Sequence, residues 1–400
     1  MKVALVWPED VPLAAISFRF EHYLTGFRTL GHEVILVAGK GLGQDFPHPI
    51  TEAEPEDFVA PDFWRQLALD VAIVLTWHRF SALLGTFRGV GTQVVAISDS
   101  DGLVGLRSHP WMVFQRMWFY QRTLRDRLRC LHYFLDRYFN DGRRGAPEDR
   151  EFLASTHNSD AVVFGSEPAV DAFRDFLRFH GEEEALAHRL RVVPYAVPEA
   201  FVRHPIPERK EPSLVALARW SDPQKNAGLL AQALGRFLPH HPEAEVEIFG
   251  RDGEPFFADL ADRFPNFHLR GPQPPPRVLE SLLKCRIVLF SSRWETGPHA
   301  ATEALALGAT LVSTPFPNAV GLAADGRFGT VARQHRARSL AEALQEEWTQ
   351  WEDGQRNPQD IAEYWRPRLS PEIICRQLLE ALPGNPETGI ATQKSAKLSP

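Results

Sequence analysis

Short apolar runs of strand length alternate along this chain with longer stretches whose apolar residues recur at helical spacing, the pattern of parallel sheets covered by helices. Lys2–Trp7 predicts the first strand. Over residues 18–30, Phe20, Tyr23, Leu24 and Phe27 fall on one helical face, and Gly31 ends the helix. Residues 34–37 predict the next strand, and Val71–Leu75, 94–97, Ala161–Phe164 and 192–193 continue the series. Residues 196–212 then carry Pro198, Pro205, Pro207 and Pro212 among charged side chains, the composition of an interdomain linker. A second series follows at 214–217, 246–249, 286–291 and Thr310–Ser313, with a helix over 298–307 between the last two strands. Gly250 and Gly308 stand where sheet-to-helix turns and helix ends favour glycine. Residues 272–276 read as a turn, 371–382 as the last helix, and 384–400, polar and without periodicity, as a disordered tail.

This pattern divides the chain into an N-terminal domain over 1–197, a linker over 198–212 and a second domain over 213–365. A helical segment over 366–383 is expected to return to the first domain. Length agrees, because 400 residues exceed what one hydrophobic core holds and suit two. An apolar fraction of 44% and a charged fraction of 24% are those of a soluble globular protein. The net charge of -7 argues against a general nucleic-acid binder. The opening apolar run turns polar at Pro8-Glu9-Asp10, too early for a signal peptide, and no apolar stretch reaches the length of a spanning helix. Cys130, Cys285 and Cys375 lie far apart with no metal-site spacing, which predicts buried thiols and a cytoplasmic protein.

Candidate chemistry concentrates in two segments of the second series. In the first, a strand ends just before Arg219, Asp222-Pro223 forms a turn, and Lys225 leads into a helix beginning near Asn226. Two cations at a strand-to-helix junction suit a diphosphate, Lys as a point charge and Arg as a hydrogen-bonding fork. In the second, a buried strand ends at Ser292, a tight loop carries Glu295, and a helix opens near Pro298 with Glu303 between one and two turns in. The loop lies at the carboxyl end of a parallel strand, where open α/β sheets place ligands, and the helix start offers free N–H groups to phosphate or sugar hydroxyls. Taken singly, each motif is better read as a solvated loop or helix surface. Their occurrence in one order within about one domain's length changes the odds.

At this point the sequence resembles the retaining glycosyltransferases of family 4 (glycosyl transferases group 1), whose signature is an Arg and a Lys six residues apart and, much later, a Glu-x7-Glu motif. Here these are Arg219…Lys225 and Glu295…Glu303. Gly31-His32-Glu33-Val34, Val193-Pro194-Tyr195-Ala196-Val197 and Gly308-Ala309-Thr310-Leu311-Val312 resemble the family's flanking segments. The resemblance implies the GT-B fold, an α/β architecture of two facing Rossmann-like domains with parallel sheets, and transfer of a sugar from a nucleotide-diphosphate sugar with retention of anomeric configuration. It further implies that Arg219 and Lys225 neutralise the departing diphosphate, that Glu303 takes the ribose hydroxyls, that Glu295 takes a donor-sugar hydroxyl, and that amides around Gly297 and His299, with Gly250 nearby, complete the donor site. No metal and no other cofactor is expected, the cation pair and helix start doing the electrostatic work.

The chain departs from the family in three places. Thr296-Gly297-Pro298-His299 replaces the usual Gly-Phe-Gly, and Pro298 cannot donate an amide. The glycine-rich loop after the first strand is replaced by Val11-Pro-Leu-Ala-Ala-Ile-Ser17. Ser98-Asp99-Ser100-Asp101-Gly102 stands where many members carry a His-Asp pair. Asp99 and Asp101 are candidates to orient the acceptor or, equally, to form a turn, and His78 is a weaker candidate on the same side. The rival readings are a catalytically inactive GT-B scaffold and an epimerase-like GT-B enzyme.

The acceptor is expected to be a glycan or a lipid-linked molecule, which draws attention to residues 107–144. There Met117, Leu124, Leu128, Leu131, Leu135 and Tyr138 share one helical face, expected to be buried against the N-terminal domain. The opposite face carries Arg122, Arg125 and Arg129 with Trp118 and Tyr133, and Arg143 and Arg144 follow. That arginine face is either a solvated surface or a peripheral contact with a phosphate-bearing membrane.

Overall fold

The structure is a computed structural model that describes residues 1–10, 17–43, 46–75, 80–121, 123–144 and 146–384. Contacts gather these into two compact units. The first comprises Met1–Pro110, Asp136–Ala196 and the C-terminal segment from Pro371; the second comprises Trp111–Leu135 and Val197–Ser370.

In the first unit seven parallel strands, β1 (Lys2–Trp7), β2 (Glu33–Gly39), β3 (Thr51–Ala53), β4 (Val71–Leu75), β5 (Gln93–Ser98), β6 (Ala161–Phe164) and β7 (Leu190–Val192), lie in the order β3-β2-β1-β4-β5-β6-β7. Strands buried on both faces need apolar residues at every buried position, and β4, β6 and β1 from Val3 onward supply them. Val3, Leu5, Val71 and Ile73 pack into one core, and the alternate residues Ala4, Val6, Ala72 and Val74 into another on the opposite face. The helix Pro371–Glu380 closes the first of these cores against the helix Ser17–Thr29, through Ile374, Leu378, Phe20 and Phe27. Gly26 permits that approach, since a Cβ there would stand 2.3 Å from the Pro371 carbonyl oxygen.

The second unit repeats the design with six parallel strands, β8 (Glu211–Leu217), β9 (Glu245–Phe249), β10 (Phe267–Gly271), β11 (Cys285–Phe290), β12 (Thr310–Ser313) and β13 (Gly329–Val331), ordered β10-β9-β8-β11-β12-β13. Chain direction along the sheet reverses at β8, whose neighbours are β9 and β11, with Leu214 opposite Ile287 and Val215 opposite Val288. The chain therefore leaves β8 and β11 toward opposite edges of the sheet, an arrangement that places a crevice at the carboxyl ends of these two strands.

Four expected strands have the observed bounds, and the others differ by a few residues at their ends. The short edge strands β3, β10 and β13 escape the apolar pattern because part of each is solvated. The segment expected as a linker is not loop throughout: it contains the helix Glu199–Arg203, and Pro212 already lies in β8. Pro275 opens the helix Pro275–Lys284 rather than closing a turn. The tail beyond Gly384 and the loop 11–16 lie outside the described residues. All three cysteines are free and buried.

One expectation is overturned. The helix Leu124–Arg144 turns Cys130 and Phe134 inward, Phe134 meeting Phe114 of the helix Pro110–Phe119 at 4.9 Å between ring centroids. The leucine stripe faces out: Leu124 is 73% exposed, Leu128 59%, Leu131 36% and Leu135 42%. The stripe is real, but the neighbouring helix covers a different face of the same wheel, because its own aromatic residues select Phe134.

Candidate functional site

Site geometry in the second unit starts from β8. After Leu217 the chain turns through Arg219 to Asp222, whose carboxylate accepts from the Gln224 amide at 2.9 Å and caps the short 3-10 turn Pro223–Lys225. Trp220 anchors this turn, its amide donating to the Arg251 carbonyl and its indole N–H to that of Phe249, both at 2.9 Å. Asn226 then takes a left-handed conformation, with φ 52°, to start the helix Ala227–Phe237.

The loop after β11 meets this turn along its length. Arg293 donates its amide to the Gln224 carbonyl at 2.8 Å and its guanidinium to Asn226 Oδ1 at 2.8 Å, while Ser291 Oγ donates to the Lys225 carbonyl at 2.7 Å. Glu295 is thereby held inside, only 6% exposed, with Lys225 Nζ 2.7 Å from its Oε1. Ser292 Oγ donates a short hydrogen bond to the same oxygen, and Gln224 Nε2 reaches Oε2 at 3.4 Å while holding the Trp294 carbonyl at 2.7 Å. Thus Lys225, half-buried, and Glu295, buried, 70 residues apart in sequence, form an ion pair across the crevice between β8 and β11. An ion pair with this many supporting hydrogen bonds is costly to leave half-made, so the geometry fixes both groups before any ligand arrives.

Glu303 sits in the second turn of the helix His299–Ala306, with Pro298 as its N-cap residue. Burial pushes its carboxyl up to about 7 although part of its surface stays open. The helix is fixed at its far end, where Arg366 Nε donates to the Ala306 carbonyl at 2.8 Å and Lys210 Nζ to that of Leu307 at 2.6 Å. Arg219 is exposed, and among the described residues no hydrogen bond or ion pair engages its guanidinium. Gly297 lies in the loop and His299 is the first residue of the helix.

Gly250, just after β9, has φ 110°, and a Cβ there would stand 1.8 Å from the Ala218 carbonyl oxygen. Its amide already donates to the Gly271 carbonyl at 2.9 Å. Glycine is required here so that the β8 turn can pack closely, and the amide is not free for a ligand.

In the first unit Asp99 and Asp101 follow β5. Ser100 Oγ accepts from the Gly102 amide at 3.2 Å and bonds Ser98 Oγ at 3.0 Å, which makes this segment a hydrogen-bonded turn. Tyr195 Oη reaches the Ser98 carbonyl at 3.3 Å and Asp99 at 3.5 Å. His78 and Arg122 lie outside the described residues.

Sequence reasoning missed Gln224 and Ser292 as partners of Glu295. Both were inside the motif segments, but nothing in their order says that they converge on one carboxylate. It missed as well that Tyr120 Oη bonds Asp222; burial first, and then this contact, push the tyrosine up to about 12. Residues 111–135 pack with the second unit, far in sequence from its remaining segments.

Known proteins give this geometry its context. Residues 199–366 match the family model of glycosyl transferases group 1. No curated protein sequence matches the chain. Solved structures resemble nearly all of it at low identity. A glycosyltransferase from Rickettsia africae superposes with a TM-score of 0.63 at 13% identity, over 95% of this chain and 97% of that one. The lipopolysaccharide outer core galactosyltransferase WaaB gives 0.60 at 13%, over 95% and 99%. The Anabaena protein HepE in complex with UDP gives 0.61 at 14%, over 95% and 99%. Two all-parallel α/β sheets and these neighbours show the GT-B fold of glycosyltransferases, and the stretch matching glycosyl transferases group 1 contains Arg219, Lys225, Glu295 and Glu303.

Proposed function

We propose that this protein is a retaining glycosyltransferase that takes a sugar from a nucleotide-diphosphate donor bound in its second unit. The observation that carries the reading is the part-buried Lys225–Glu295 pair at the crevice between β8 and β11, beside the start of the helix bearing Glu303. Arg219 and Lys225 bind the diphosphate and stabilise the charge that grows on it as the sugar leaves. Glu303 accepts from the ribose hydroxyls. Glu295, already aligned by three donors, accepts from a hydroxyl of the sugar, and the amides near Gly297 and His299 hold others. The cations make a divalent metal unnecessary. UDP is the first nucleotide to try, since it occupies the related HepE structure.

A thermal-shift panel of nucleoside diphosphates and their sugars, repeated in chelator, tests this. A rise in melting temperature with one nucleotide, unchanged by chelator, and transfer to an acceptor with the donor's anomeric configuration by NMR are the expected results. Sugar-nucleotide isomerisation without transfer would install the epimerase reading; no response to any nucleotide would install the inactive scaffold. Asp99 and Asp101, with His78, remain candidates on the acceptor side.

The exposed leucine stripe favours a membrane-borne acceptor. Leu124, Leu128, Leu131 and Leu135 form an apolar band, flanked by exposed Arg125, Arg129 and His132, the arrangement of a helix lying on an anionic bilayer. This moves the contact from the arginine face alone to the leucine band that it borders. Flotation with vesicles containing phosphatidylglycerol should retain wild type, and Leu128→Glu/Leu131→Glu should release it. Equal recovery of both proteins would leave the stripe without a bilayer role.

A further inference from the structure

Beside the donor loop, wholly within the second unit, lies a cavity of about 350 Å³ whose lining includes none of Arg219, Lys225, Glu295 and Glu303. One wall is the helix Pro110–Phe119, through Met112, Gln115, Arg116 and Phe119; the others are Arg293 and Trp294 after β11, Pro315 and Pro317 after β12, and His335 after β13. Two guanidiniums and an imidazole line it, with no carboxylate among the lining residues. Both guanidiniums lie over aromatic rings, Arg116 at 5.1 Å from the Trp294 centroid and Arg293 at 4.1 Å from that of Phe119. Stacking fixes a guanidinium's plane and with it the directions in which its N–H groups point. Arg293 has Nε and Nη2 engaged by Pro223 and Asn226, and no contact among the described residues engages Nη1.

We propose that this cavity is an acceptor subsite for an organic phosphate, a phosphate ester whose anion meets Arg116, Arg293 and His335 and whose apolar body lies on Trp294, Phe119 and the two prolines. Arginine pairs suit the several acceptor oxygens of phosphate, and the volume admits a headgroup or small ester but not a long chain. The site is joined to the donor machinery by covalent neighbours. Trp294 precedes Glu295, and the Trp294 carbonyl is held by the Gln224 side chain that also reaches that carboxylate. An acceptor seated here would therefore lie next to the loop that carries the donor-sugar contact. The inference rests on the transferase reading for its role, though not for its binding chemistry.

Phenyl phosphate, titrated calorimetrically into protein with and without saturating UDP, tests it. Wild type should bind one equivalent in both conditions. Arg116→Gln and, separately, Met112→Glu, which sets a negative charge at the exposed rim, should each weaken phenyl phosphate by about tenfold or more. Both should leave the UDP affinity within about twofold of wild type. Retention on phosphatidic acid vesicles lost in Arg116→Gln would assign the phosphate to a lipid headgroup; response to phenyl phosphate alone would assign a soluble ester. No binding by wild type, displacement by UDP, or wild-type affinity in both variants would overturn the proposal. If UDP fails to bind while phenyl phosphate stays sensitive to Arg116, the donor assignment falls and this subsite stands.

Discussion

Lys225→Ala is expected to lower turnover by about 10²–10³-fold, the effect of removing one preorganised donor from a developing oxyanion. Lys225 Nζ touches Glu295 Oε1 at 2.7 Å in a setting where Glu295 is almost wholly buried. The substitution removes a cation from the leaving diphosphate and leaves that carboxylate with only neutral donors, Ser292 and Gln224. Both losses act on the reacting end of the donor. Glu295→Gln should separate them: it keeps the side chain's shape, removes the charge, and is expected to depress kcat while changing nucleotide affinity little, because its ligand is the sugar. Because the two residues touch, the double variant should lose less than the product of the single losses. Single-turnover rates with calorimetric Kd values for the nucleotide decide it. If Lys225→Ala turns over within about threefold of wild type, the pair is structural and the leaving-group assignment is wrong.

How much of this was legible in the sequence depends on whether an element is named by its own residues or by its neighbours. The strands β1, β4, β6 and β12 have their expected bounds because each is built on a buried apolar run that ends at polar or turn residues. Arg219, Lys225, Glu295 and Glu303 stand out only as one ordered set that resembles a family signature, and the strand order then explains why loops after β8 and β11 hold them: those strands are adjacent although the chain forms β9 and β10 between them. Spacing cannot say which neutral donors surround a carboxylate, so Gln224 and Ser292 were invisible. Nor can a helical wheel say which of its faces a partner will cover. The leucine stripe over 124–135 has the period of a buried face, yet Cys130 and Phe134 turn inward instead, since Phe114 and Trp118 already pair as aromatic neighbours on the adjoining helix. Gly250 had the opposite fate: the position was legible, but its reason is a close backbone approach to Ala218.

Nucleotide affinity is expected to rise with pH up to about pH 7 and then level, through Glu303. Burial holds this carboxyl up at about 7 in the free protein. A ribose diol donates two hydrogen bonds, which the ionised carboxylate accepts and the neutral acid, itself a donor, accepts less well. Binding therefore favours the ionised form, and each pH unit below 7 should cost up to about tenfold in affinity. The terminal phosphate of a nucleoside diphosphate titrates nearby, so the readout is the difference between wild type and Glu303→Gln, whose profile should lack the Glu303 component. Glu303→Ala should lose about 1.5–3 kcal/mol of affinity at pH 8, one charge-assisted contact. Stability of the free protein moves the other way. A carboxyl whose folded pKa exceeds its unfolded value of 4.5 binds more proton when folded, so stability falls as pH rises from 4.5 through 7. Glu303→Gln should remove that loss, stabilise the protein at pH 8 by on the order of 1–2 kcal/mol after discounting for the solvent the carboxyl retains, and so raise its melting temperature. A variant that binds nucleotide less tightly while unfolding at higher temperature is what a ligand-binding carboxylate held in a desolvated pocket produces. Parallel wild-type and Glu303→Gln binding profiles between pH 5.5 and 8, those limits being roughly a unit or more either side of the expected midpoint, would remove Glu303 from the donor site.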